Sequence, residues 1–227
     1  MTDTKVNIPT EPVNTPDNQL QDLFQDLMEH AKIEYEKNDF AAAILFLDQV
    51  IASNPDSADA FNNRGLVKTA MENYPEAIDD LTKAITLAPE FYIAFLNRGI
   101  VYFNSGDYQK AIDDFSKVVG FNPENTLAYS YLGISYGNIG NFEASIKNLD
   151  KTIELEPEFA THYFNRAYYN DLTGKKQEAL IDYNEVIRLD NSNADAHLNR
   201  GLIYQFWDRY QEAITDYTTA IELRPEF

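Results

Sequence analysis

Three kinds of side chain in this sequence could do chemistry: its histidines, its paired carboxylates, and rows of arginine and asparagine. The three histidines, His30, His162 and His197, lie far apart in the chain. None has the i, i+4 partner that would place two imidazoles on one helical face to hold a metal. Ordinary packing or surface roles are expected for them. Asp79-Asp80 and Asp113-Asp114 are the carboxylate pairs. No phosphate-cradling glycine loop and no nucleophile–base pattern accompanies them. With no cysteine, thiolate catalysis and disulfides are excluded. The expectation is therefore a chain that is not an enzyme, with no metal and no cofactor.

The remaining candidates recur. Arg64, Arg98, Arg166 and Arg200 stand at multiples of 34 residues, and each is followed sixteen residues later by Asp80, Asp114, Asp182 or Asp216. Where the arginine is missing the aspartate is missing too: His30 goes with Phe46, and Leu132 with Asn148. Such co-occurrence favours an interhelical salt bridge over a row of arginines gripping anionic ligands, because buried charges need partners. Immediately before the arginines stand Asn63, Asn97, Asn165 and Asn199. A carboxamide both donates and accepts, so a row of them could pair with the N–H and C=O groups of an extended backbone. The alternative is that asparagine is merely tolerated on a wet face, although helix propensity does not favour it there.

The elements that position these residues follow from the period. Small residues recur at Ala31, Gly65, Gly99, Gly133, Ala167 and Gly201, and again twelve residues on at Ala43, Ala77, Ala111, Ser145, Ala179 and Ala213. Bulky ones follow at Leu47, Leu81, Phe115, Leu149, Tyr183 and Tyr217, and prolines close most units at Pro55, Pro89, Pro123, Pro157 and Pro225. The small positions let two helices approach and the bulky one fills the space between hairpins. Proline cannot continue a helix. Turn residues such as Ser105-Gly106-Asp107 and Gly140-Asn141 separate the helices of each pair.

The unit from Tyr92 to Asn125, with Phe95, Gly99, Tyr102, Tyr108, Ala111, Phe115 and Pro123, resembles the tetratricopeptide repeat. The resemblance covers six units, 24–57, 58–91, 92–125, 126–159, 160–193 and 194–227, with Glu34 and Asn170 standing where the family usually has tyrosine. It implies an all-α, right-handed superhelical solenoid of six antiparallel helix pairs, its concave face lined by the first helix of each unit. Residues 18–227 would form this domain, and 1–17, with Pro9, Pro12 and Pro16, an extended or disordered arm. Val6-Asn7-Ile8-Pro9 is apolar enough to lie in a groove.

The family's inward positions imply a peptide site along the asparagine ladder, with Phe103, Tyr131, Ile134, Phe164 and Tyr168 as apolar contacts. Tyr131 interrupts the ladder, and Gly137 nearby either leaves room for a ligand backbone or marks a local change in curvature. The clamp by which some relatives grip acidic carboxyl termini is not expected: its places hold Asn62, Leu66, Asn97, Leu127 and Tyr131.

A net charge of −19 disfavours nucleic acid and points to a basic or apolar protein or peptide partner. No apolar run suits membrane insertion, and Met1–Asp17 has no secretory core, so the cytoplasm is the default location. The expected function is a scaffold or adaptor binding an extended peptide. The alternatives are a self-assembling module meeting its partner through Ile214, Tyr217 and Ile221 of the last hairpin, or the regulatory or substrate-binding fragment of a larger protein.

Overall fold

The computed structural model describes residues 16–225, and in them the secondary structure is twelve α-helices with no strand. They are α1 (Pro16–Glu36), α2 (Phe40–Ser53), α3 (Ala58–Ala70), α4 (Tyr74–Leu87), α5 (Tyr92–Asn104), α6 (Tyr108–Phe121), α7 (Thr126–Asn138), α8 (Phe142–Leu155), α9 (Ala160–Leu172), α10 (Lys176–Leu189), α11 (Ala194–Phe206) and α12 (Tyr210–Leu223). Consecutive helices pack as pairs. The expected arm falls almost wholly outside the described residues, and α1 begins at Pro16.

Local chemistry starts and stops these helices. Side chains of Asp39, Ser57, Asp107, Asn125, Asn141 and Asn193 each accept a hydrogen bond from the amide three residues on, satisfying a donor that the first turn leaves free. Between the helices of every pair one residue adopts positive φ: Asn38, Glu72, Gly106, Gly140, Gly174 and Asp208, again 34 apart. The sequence points to this turn through Gly140 and Gly174, and Asn38 and Asp208 are of types that tolerate it, but it hides Glu72, whose residue type does not favour that conformation. A Cβ added to Gly106 would meet nothing within 4 Å, so its constraint is purely backbone. Gly106→Ala is therefore expected to lower stability by about 1 kcal/mol, and Gly106→Asn by less, in urea titration followed by circular dichroism.

The chain divides into two compact units, Met1–Ala88 and Pro89–Phe227. In the first, α2 packs on both α1 and α3, and the core gathers Ala31, Ala43, Leu47 and Val67. In the second, one cluster centres on Phe115 with Ala111, Val118, Ala128 and Leu132, and another on Tyr183 with Ala167, Val186, Ala196 and Ile203. The recurring small residue has the expected cause: a Cβ on Gly65 would lie 2.7 Å from Leu81 Cγ, and one on Gly99 would lie 2.7 Å from Phe115 Cε1.

The arginine row is structural. Each guanidinium grips the aspartate of its own hairpin through Nε and Nη2: Arg64–Asp80 at 2.9 and 2.6 Å, Arg98–Asp114 at 2.8 and 2.8 Å, Arg166–Asp182 at 2.9 and 2.6 Å, Arg200–Asp216 at 2.8 and 2.7 Å. All four aspartates are buried. In three of the arginines the other terminal nitrogen, Nη1, does something the sequence reading missed. It reaches back to the preceding hairpin, from Arg64 to Asp48 at 2.6 Å, from Arg166 to Asp150 at 2.7 Å and from Arg200 to Asn184 at 2.8 Å. These arginines thus tie successive hairpins as well as the two helices of one. The bonds to aspartate raise the Arg64 and Arg166 pKa values further above their already high range. At Asp114 burial pushes the carboxyl up, against the pull of Arg98. Where the pair is absent the substitutes are accommodated: His30 lies against Phe46 with ring centroids 5.3 Å apart, Leu132 is buried, and Asn148 donates to the Ala144 carbonyl at 2.8 Å.

Candidate functional site

The four asparagines sit in unequal surroundings. Asn63 is half-buried and accepts from Asn62 at 3.2 Å. Asn97 is buried. Asn165 is half-buried. Asn199, also half-buried, hydrogen-bonds the hydroxyl of Tyr183, whose pKa burial raises and this bond partly restores. In the free chain the row is thus partly engaged with its own side chains.

The apolar residues expected beside it divide in the same way. Tyr131 stacks on Phe115, centroids 5.0 Å and planes 12° apart, and Phe103 meets it edge-on at 5.0 Å. Both pack against the Phe115 cluster. Phe164 meets Tyr183 edge-on at 5.8 Å. Ile134 is half-buried, and its carbonyl accepts from the Tyr169 hydroxyl at 3.3 Å. Tyr168 alone of this group is exposed.

The neighbourhood of Gly137 has an internal occupant. A Cβ there would fall 2.2 Å from both Cε1 and Cζ of Tyr169, a residue that is itself buried. Burial lifts the Tyr169 phenol to about 12. The glycine makes room for a side chain from the next hairpin. Asn170, which departs from the usual tyrosine, is absorbed as well, 3.5 Å from Asp182 within the Arg166 network.

Two open surfaces remain on the first helices. In the second unit, Tyr168 and Leu172 on α9 and Leu202 and Phe206 on α11 occupy equivalent inward positions. They are 47%, 54%, 50% and 66% exposed. Lys176 Nζ stands 4.7 Å from the Phe206 ring centroid. In the first unit, α1 and α3 form the walls of a cleft of about 650 Å3, with Leu47 and Val50 of α2 at its floor. Met28 and Tyr35 line one wall, Asn63 and Leu66 the other. These are the inward positions of the first two repeats. The sequence reading assigned only Asn63 to the site, having placed its apolar contacts in later repeats. The spacing that marks Asn63 also marks Met28 and Leu66, so the information was there.

On the last helix, Ile214 and Ile221 are more than half exposed, whereas Tyr217 is half-buried and donates to Gln205 Oε1 at 2.6 Å. His162 approaches Glu156 at 3.3 Å, and His197 is buried against Asp216 at 3.1 Å. Among the described residues no group of three or more His, Asp or Glu side chains is arranged to hold a metal, and no helix is long and apolar enough to cross a membrane.

Helical hairpins of this length, joined by left-handed turns and stapled by small–bulky contacts, define a class of repeat protein. One tetratricopeptide repeat model matches at residues 58–91, 92–125 and 194–227, another at 28–68, and a third, described as TPR repeat, at 173–205; the chain belongs to this family. No curated protein sequence matches it. Among solved structures it is similar to PilF of Pseudomonas aeruginosa (14% identity, 91% of this chain and 94% of that one, TM-score 0.78). It is also similar to YrrB, described as a TPR protein with an unusual peptide-binding site (23%, 79% and 92%, 0.70). A third is MamA of Desulfovibrio magneticus RS-1 (19%, 76% and 97%, 0.71). At these identities the likeness is one of fold.

Proposed function

We propose that this chain is a non-enzymatic adaptor that holds a polypeptide segment on the inward faces of its first helices. The observation that carries this reading is the exposure of Tyr168, Leu172, Leu202 and Phe206 at matching positions of α9 and α11. Large apolar side chains left in water in a repeating pattern mark an interaction surface. Asn165 and Asn199, one turn earlier on the same helices, supply carboxamides for a ligand backbone, each bond contributing about 0.5–1.5 kcal/mol. Apolar burial must then supply most of the roughly 8 kcal/mol that micromolar affinity requires. The family, and the likeness to YrrB with its unusual peptide-binding site, support a peptide ligand, and the acidic charge supports a basic or neutral one.

A second reading is self-assembly through α12. The equivalents of Ile214 in two earlier hairpins of the second unit, Ile112 and Leu180, are buried, whereas Ile214 is exposed. Light scattering during size-exclusion chromatography decides between them when paired with a peptide-array binding assay. The adaptor reading expects a monomer whose peptide binding falls about tenfold or more in Leu202→Asp/Phe206→Asp and is unchanged in Ile214→Glu/Ile221→Glu. A dimer dissolved by the glutamates, with no peptide retained by the wild type, would transfer the function to α12.

A further inference from the structure

The cleft of the first unit differs in character from the exposed stripe of the second. Its floor is made of side chains that are themselves buried, Leu47 and Val50, and Met28, Tyr35 and Leu66 reach into it from the walls. At about 650 Å3 it lies within the range of roughly 300–1,000 Å3 typical of sites that enclose a ligand, and has room for more than one side chain. Its polar lining includes Glu29 and Asp59 against a single ammonium, Lys32, which stands 3.9 Å from Glu29. The rim therefore keeps a net negative charge, within a chain whose total is −19.

We infer that this cleft is a second docking site, taking a partner segment that inserts two or more large apolar side chains between α1 and α3 and carries lysine or arginine beside them. Apolar anchors displace water from the accessible parts of Met28, Tyr35 and Leu66, and the flanking cation meets the Glu29–Asp59 rim, which selects against acidic segments through like-charge repulsion. The spacing that fits a cleft between two helices is that of an amphipathic helix, with apolar residues at i, i+3, i+4 and i+7. This inference rests on the reading of the chain as an adaptor, but it uses residues that the α9–α11 surface does not.

The test uses the full chain and three fluorescein-labelled peptides of about fourteen residues, followed by fluorescence anisotropy at about 150 mM salt. The first has leucines at that helical spacing with lysines elsewhere. The second replaces its lysines by glutamate, and the third its leucines by serine. The first peptide should bind, with affinity reduced about tenfold or more in Tyr35→Asp and in Leu66→Asp and unchanged in Ile181→Asp, an exposed position on α10 outside both surfaces. The other two should not bind. Tyr35 is exposed, so its substitution leaves the core intact, and circular dichroism melting confirms that each variant is folded. Equal binding of the serine or glutamate peptide, or failure of the first peptide to bind, overturns the inference. So does a loss confined to Phe206→Asp, which leaves the adaptor reading standing on the other surface. A rise of about tenfold on deleting residues 1–15 also overturns it, since the cleft would then belong to the chain's own amino terminus.

Discussion

Asp114→Ala is expected to lower stability by about 3–5 kcal/mol, the range found when one partner of a buried ion pair is removed. Asp114 is 4% exposed and takes two hydrogen bonds of 2.8 Å from Arg98. Truncation leaves that guanidinium facing a hole between α5 and α6, where water cannot fully replace the carboxylate. For a chain of this size each kcal/mol corresponds to about 2–4 °C, so the midpoint of thermal unfolding should fall by about 10 °C. Asp113→Ala, one residue away and exposed, should stay within about 0.5 kcal/mol of wild type. The decisive variant is Arg98→Leu/Asp114→Asn, which copies the Leu132–Asn148 pair that the chain already uses one repeat later. Exchanging a buried pair for groups that fit without charge is often neutral, so the double variant should recover most of the loss. A melting curve for Asp114→Ala that overlays wild type would mean that the bridge adds nothing to stability.

Gly137→Val should be nearly as damaging, by about 3 kcal/mol. In an open helix, replacing glycine by alanine gains about 1 kcal/mol, so the sign here depends on the space available. Tyr169 has already taken that space: its ring atoms stand 2.2 Å from where a Cβ would lie. The ring is packed edge-on against Tyr168 at 5.2 Å and bonded to the Ile134 carbonyl, which leaves it little freedom to retreat. Overpacking of this kind typically costs about 1–3 kcal/mol even for one added methyl. Gly137→Ala should therefore destabilise in spite of helix propensity. Gly137→Ala/Tyr169→Val, which installs the residue that Val67 and Val101 represent at the equivalent position, should return to wild-type stability or above it. Calorimetry of the four proteins in the cycle measures the coupling directly. Coupling near zero would mean that Tyr169 does not select the glycine, and would reopen the case for a ligand approaching α7.

Much of this was legible in advance because a repeat makes one chain its own comparison set. Each position samples a similar environment six times, so the small–bulky contacts and the pairing of arginine with aspartate could be inferred from what varies together. The limits of each hairpin were marked by residues with a backbone reason, proline and glycine above all. Glu72 is the position whose side chain does not announce positive φ; the turn imposes it there.

What the period could not supply was anything that depends on how two particular hairpins meet. Gly137 and Tyr169 are 32 residues apart, and neither explains the other until α7 and α9 are seen together. The backward reach of Arg64, Arg166 and Arg200 likewise needs the preceding hairpin in place. The sequence put an asparagine at the same position of four helices, but tertiary packing buried Asn97 and engaged Asn199 with Tyr183. It also opened a cleft between α1 and α3, across the first two repeats. The sequence by itself determined which way each side chain points, because direction follows from helical periodicity. Only the tertiary structure decided which of those side chains are free to meet a partner, because that depends on what the neighbouring hairpin already fills.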